Sequence, residues 1–214
     1  MKQRELIEAL AGEPDSAERA ALELFESPQA EAWMGDAETA GAVRRSVSAG
    51  NHSGAAILLL GLENSPEGAA LLMDLRESGR GELAKLQPWT PAVPLPLVAD
   101  VALSRRGVGE ARTRLLAEIE NAELATLAFL LGVLEQIDAP EVLHAVSRTL
   151  DDGREVSAGV PSGAAPARRL ADEAVDAFID RLNLTVGFSR NASRRYSEEE
   201  IDQVRQAILR SVPQ

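Results

Sequence analysis

Gly54-Ala55-Ala56-Ile57-Leu58-Leu59-Leu60-Gly61-Leu62, followed by Glu63-Asn64-Ser65-Pro66-Glu67-Gly68-Ala69-Ala70-Leu71-Leu72, is the stretch that decides the fold class. The first run reads as a buried helix and Glu63 to Ser65 as a tight turn. A second helix then begins at Ser65-Pro66-Glu67. Ser65 can accept from the free amides of a first helical turn, and Pro66 stands where its missing N–H costs nothing. Ala69, Leu72, Met73 and Leu75 supply the apolar side of that second helix. Two apolar helices joined by so short a turn must lie antiparallel.

The same pattern recurs further along. Leu124 to Ile137 reads as a buried helix, Asp138-Ala139-Pro140-Glu141 as turn and helix start, and Val142, Leu143, Val146 and Leu150 as the next stripe. Pro140 stands where Pro66 does. A looser copy lies between them: Leu95 to Leu103 is an apolar helix, Ser104 to Gly109 a turn, and Leu115, Leu116 and Ile119 the following stripe. It is reached through Pro88-Trp89-Thr90-Pro91-Ala92-Val93-Pro94-Leu95-Pro96, which the prolines hold extended ahead of the helix.

Outside these units the helical signal continues. Lys2 to Ala11 is a first helix. Asp15 with Glu18 has the spacing of a capping box, ahead of Ala20, Ala21, Leu24 and Phe25. Residues 29–49 form one or two helices with Trp33, Met34, Val43 and Val47 turned inward. Residues 151–166 lack apolar periodicity and read as an exposed loop. Ala167 to Leu184 is helical, and Ser197-Glu198-Glu199-Glu200 caps a last helix carried by Ile201, Val204, Ile208 and Leu209. The expected organisation is a single all-helical domain over 1–214: N-terminal helices to 50, paired helices over 51–150, the loop over 151–166, and C-terminal helices over 167–214.

Composition supports the class. Aromatic residues make up 3% of the 214 residues while apolar residues make up 45%. The core is therefore built from Leu, Ala, Val and Ile, which suits helix packing better than sheets. The net charge of −12 repels phosphate backbones, so nucleic acid is a disfavoured ligand and a cationic protein a favoured one. The lack of cysteine excludes disulfides, thiolate metal sites and a cysteine nucleophile. No secretory signal opens the sequence, and no apolar run approaches the roughly 20 residues of a spanning helix. A cytoplasmic protein is expected, with no membrane association. Only Lys2 and Lys85 are lysines, an arginine bias that fits GC-rich bacterial coding.

Three successive helix–turn–helix units resemble HEAT-like repeats, on the residues Leu58-Leu59-Leu60-Gly61-Leu62 through Leu72 and their echo from Leu130-Leu131-Gly132-Val133-Leu134 through Leu143. The resemblance covers about the middle half of the chain. It implies an all-α fold, a short right-handed solenoid of antiparallel helix pairs, with a compact helical bundle as the alternative. It also implies a scaffold that recognises proteins along an extended surface, since each repeat contacts only its neighbours.

Chemistry is hard to find. Glu141-Val142-Leu143-His144 puts a carboxylate and an imidazole on one helical face, but a di-iron bundle needs two such motifs and further glutamates. His52 has no glutamate three residues before it, so no metal site is expected. No phosphate-binding loop or nucleophile elbow is present. Paired carboxylates such as Asp151-Asp152 and Asp172-Glu173 read as solvated faces or helix starts. Neither a cofactor nor a catalytic residue is assigned, and the chain reads as non-enzymatic.

The contact residues expected for a protein partner are Trp89 in the proline-rich connection, Arg105 and Arg106 in the next turn, and the basic segment ahead of the last helix. In that segment Arg190, Arg194 and Arg195 can grip an anion, with Tyr196 as a stacking face. Nearby Glu198 to Glu200 and Asp202 compete for these arginines. The expected function is a protein-binding helical-repeat scaffold, with an inhibitor or immunity protein for a basic toxin as a subtype. The alternatives are a HEAT-like nucleic-acid-binding or DNA-repair protein and a small-molecule enzyme whose site is assembled from scattered side chains.

Overall fold

A computed structural model describes residues 3–87, 90–156, 168–191 and 194–213. Among them the chain is mostly helical: α1 (Gln3–Leu10), α2 (Pro14–Phe25), α3 (Ala30–Met34), α4 (Ala37–Ser48), α5 (Gly54–Leu60), α6 (Pro66–Ser78), α7 (Leu95–Arg105), α8 (Gly109–Glu120), α9 (Leu124–Gly132), α10 (Pro140–Ser147), α11 (Leu170–Leu182) and α12 (Glu198–Ser211). The only paired strands among the described residues are β1 (Leu83–Ala84) and β2 (Val93–Pro94), antiparallel with Leu83 opposite Pro94. None of the described helices is long and apolar enough to cross a membrane. The chain divides into two compact units, 1–115 and 116–214.

In the first unit α5 is the central element, and all seven of its residues are buried. It packs against α2, α4 and α7. Close approach is set by glycine at both ends. A Cβ on Gly54 would lie 2.9 Å from the Lys85 carbonyl oxygen, and one on Gly61 would lie 3.0 Å from Cα of Ala102 in α7. Ser65 caps α6 by accepting from the Gly68 amide at 3.1 Å, with Pro66 in the first turn. Val93 and Pro94 are extended, as their proline context requires, and lead into α7.

In the second unit α11 packs on α9 and α12, while α10 touches α9 and α12. Phe178, Val175 and Ala174 of α11 are fully enclosed. Ser197 accepts from the Glu200 amide while the Glu200 carboxylate accepts from the Ser197 amide, the reciprocal cap expected from sequence.

Several local expectations are corrected. Asp15 and Glu18 form no capping box, because Pro14 fixes the helix start two residues earlier and Glu13 occupies the cap. The run from Leu124 to Ile137 is not one helix: α9 stops at Gly132 and a 3₁₀ turn covers Leu134–Gln136. Met73 and Leu209 are about half exposed. Leu72 and Leu75 of α6 and Ile201, Val204 and Ile208 of α12 are buried as expected, while Gly68 takes the inner position expected of Ala69. Most of the loop expected at 151–166 lies outside the described residues.

Candidate functional site

Two carboxylates are buried in the first unit, and each draws arginines inward. Glu63, in the turn between α5 and α6, is 2% exposed. Its Oε2 accepts from Arg44 of α4, and its Oε1 accepts from the Ser65 hydroxyl at 3.2 Å. Arg44 also donates to Ser65 Oγ at 2.9 Å. Ser65 thus makes its full complement of one donated and two accepted bonds. Burial pushes the Glu63 carboxyl above its ordinary range, against the pull of Arg44, Ser65 and Arg106. Gly68 is what makes room: a Cβ there would stand 1.6 Å from Glu63 Oε1.

Asp100 of α7 is the second. Arg114 holds it in a fork, Nε at 2.9 Å and Nη2 at 2.7 Å from Oδ1, and Arg76 of α6 approaches to 3.4 Å. A planar guanidinium matches a carboxylate in this way where a lysine ammonium cannot.

The expected contact residues are placed as follows. Trp89 lies outside the described residues. Arg106 donates to the carbonyls of Leu60, Glu63 and Ser65, satisfying the C-terminal end of α5 and the turn beyond it. Arg105 approaches Glu31 of α3 at 3.8 Å and has a side chain only 17% exposed.

Arg190, Arg194, Arg195 and Tyr196 do come together in the second unit, around α11 and the start of α12. Arg190 forks onto Asp180 at 2.6 and 2.7 Å, and this bonding raises the already high pKa of its guanidinium. Arg194 pairs with Glu200 and sits 5.0 Å over the Tyr196 ring, while Arg195 pairs with Glu155.

Tyr196 offers no free stacking face, because it is 2% exposed. Its hydroxyl donates to Asp176 at 2.7 Å, and its ring meets Phe188 at 5.4 Å. Burial, and then the Asp176 bond, push its phenol up.

Asp172, fully buried beneath this segment, accepts from the Tyr196 amide at 2.8 Å and from the Arg169 amide at 2.8 Å, and from the Arg169 guanidinium. Burial raises the Asp172 carboxyl, but these bonds outweigh it and hold the group below the usual carboxylate range.

Among the described residues no three His, Cys, Asp or Glu side chains are grouped so as to hold a metal. His144 of the Glu-x-x-His motif is bonded through Nε2 to the Pro213 carbonyl at 3.1 Å.

A surface feature that the sequence reading missed lies at α1, α2 and α3. A groove of about 500 Å³ has Leu6, Leu22 and Trp33 as its apolar lining, with Arg19, Glu23, Glu26 and Ser27 around them. Trp33, expected inward, is half-buried here, because Ala30 and Met34 take the inner positions of the short α3. The signal that would have found this region is regional charge. Residues 1–40 hold ten acidic and three basic residues, more of an imbalance than any other part of the first unit carries.

No protein-family model, curated protein or solved structure matches this chain. Function is therefore read from the residues themselves.

Proposed function

We propose that the chain is a non-enzymatic protein-binding module built from HEAT-like helix pairs, and that its partner is cationic, with inhibition of a basic toxin as the biological form of that role. The pairs in contact are α5–α6 in the first unit and α9–α10 in the second, with α7 leading the looser copy between them. In the first unit α5 packs on α7, so that the leading helices of successive pairs are neighbours, as stacking of repeats requires.

The observation that carries the reading is where the charges stand. Arg44, Arg76, Arg106 and Arg114 are turned to Glu63, Asp100 and main-chain carbonyls, while Arg190, Arg194 and Arg195 pair with acids of their own unit. The acidic excess of −12 is left to the surface, where it steers cationic proteins and repels phosphate backbones.

Affinity capture from native lysate at low and high salt, with mass spectrometry of what is retained, tests this. A basic protein held at low salt and released at high salt is the expected result. Retention of nothing at either salt, or retention of nucleic acid, overturns it.

A further inference from the structure

Acidity alone does not make a site, and on most of this surface the carboxylates are scattered. At the groove of α1, α2 and α3, acidic side chains and the apolar side chains of Leu22 and a half-buried Trp33 line one concavity. Trp33 and Leu22 are both incompletely covered, one from α3 and one from α2. A half-covered tryptophan in a concavity is the residue type most often found at the centre of a binding hot spot.

Glu23 and Glu26 stand on the α2 side of the same groove, and Glu26 accepts from Gln87 at 2.6 Å, which fixes its position and leaves lone pairs for a second donor. Arg19 is the single basic residue lining it, one helical turn before Glu23. A cationic ligand is thereby kept away from that end and directed toward Glu26. A second copy of the chain is a poor occupant, since it would bring the same ten-to-three excess of acids against this one.

We propose that this groove docks a cationic amphipathic segment of a partner protein, with an apolar side chain against Trp33 and Leu22 and basic side chains toward Glu23 and Glu26. The inference rests on the protein-binding reading above and assigns that reading a site.

The test is fluorescence anisotropy of a short labelled peptide carrying Leu and Arg at helical spacing, alongside a twin with Glu in place of Arg, titrated with the full chain at low and physiological salt. The Arg peptide binds and the Glu peptide does not. Trp33→Ala weakens binding by about tenfold or more, whereas Trp33→Phe, which keeps an aromatic face, restores most of it. Glu23→Gln with Glu26→Gln weakens binding about threefold to tenfold and flattens its salt dependence. Glu118→Gln with Glu120→Gln, an equal charge change on the exposed side of α8, leaves binding unchanged.

Failure of the wild-type chain to bind the Arg peptide overturns the groove. So does Trp33→Ala binding like wild type, or the α8 pair weakening binding as much as the α2 pair. In those cases a basic partner captured from lysate would still uphold the broader reading, and its absence would remove both.

Discussion

Gly68→Ala in the first turn of α6 offers the sharpest test of how the first unit is built. Glycine within a helix ordinarily costs about 1 kcal/mol relative to alanine, so the substitution would be expected to stabilise. The structure reverses the sign. The added Cβ would stand 1.6 Å from Oε1, 2.6 Å from Cδ and 3.0 Å from Cγ of Glu63, a side chain enclosed on all sides. Glu63 must leave, and with it go its pair with Arg44 and the bond from Ser65.

Breaking a fully buried pair costs about 3–5 kcal/mol. Arg44 retains 26% exposure and can rehydrate, so the lower end or somewhat less applies, about 2–3 kcal/mol. After the helix gain, the net loss is about 1–2 kcal/mol, equivalent to a fall of roughly 2–8 °C in Tm for a chain of this size.

Urea unfolding followed by circular dichroism measures it. Gly109→Ala serves as the comparison, because nothing lies within 4 Å of a Cβ at that position. It is expected to be neutral or slightly stabilising. In a Glu63→Ala background, Gly68→Ala has nothing to displace and should turn stabilising, giving a coupling of about 2–3 kcal/mol. A Gly68→Ala protein as stable as wild type, or a penalty that survives in the Glu63→Ala background, refutes the placement of Glu63.

Four other outcomes follow from the structure. Because the native state holds the Glu63 carboxyl above its ordinary 4.5, it binds more protons than the unfolded chain between that value and the raised one. The contribution of Glu63 to stability therefore falls as pH rises through that window, and Glu63→Gln should flatten the fall in urea midpoints measured across it.

Asp172, Asp152 and Glu200 run the opposite way: their native carboxyls are lowered, so their contribution is present above the ordinary carboxylate range and is lost as pH falls through the lowered values. Asp172→Asn trades an enclosed acceptor of Arg169 and Tyr196 bonds for a group that cannot accept them all, and should cost about 3–4 kcal/mol, read as loss of amide-exchange protection in α11 and α12. Ser197→Ala removes half of the reciprocal cap on α12 and should cost about 1 kcal/mol in the same assay.

Signals that act within a few residues were readable from sequence. Ser65 with Pro66, Pro140, and Ser197 with Glu200 each begin a helix where expected, because a cap or a proline at the first turn needs no tertiary help. Pro14 shows how local chemistry can also mislead: it sets the start of α2 and leaves Asp15 inside the first turn, beyond reach of a capping role.

What the sequence missed was decided by packing. Leu72 and Met73 are equivalent to a periodicity argument, and only the neighbours of α6 settle which one is buried. The buried acids were invisible as well. Glu63 reads as an ordinary turn residue, and the trace of its burial is a glycine five positions later inside a helix. Tyr196, the chain's single tyrosine, looked like an exposed platform beside three arginines because nothing in its own segment reveals that Asp172 and Asp176 of α11 lie against it. Trp33 of the groove reads from sequence as a core residue, since only packing shows that Ala30 and Met34 take the inner positions of α3.

These placements connect stability to recognition. An arginine that forks onto a buried carboxylate, as Arg114 does on Asp100, is shielded from the salt that screens surface charges. Glu23 and Glu26, on an open groove, are not. Raising ionic strength should therefore release a cationic partner well before it loosens the helices, because attraction at the groove is screened over about 10 Å in 0.1 M salt while the inward pairs are not. The two effects would fail to separate only if the arginine pairs were solvent-exposed, and then a salt series of urea midpoints would fall in step with affinity. With Glu63 and Asp100 and their arginines holding the helices together, surface acids such as Glu23 and Glu26 can be tuned for a basic ligand without disturbing the fold.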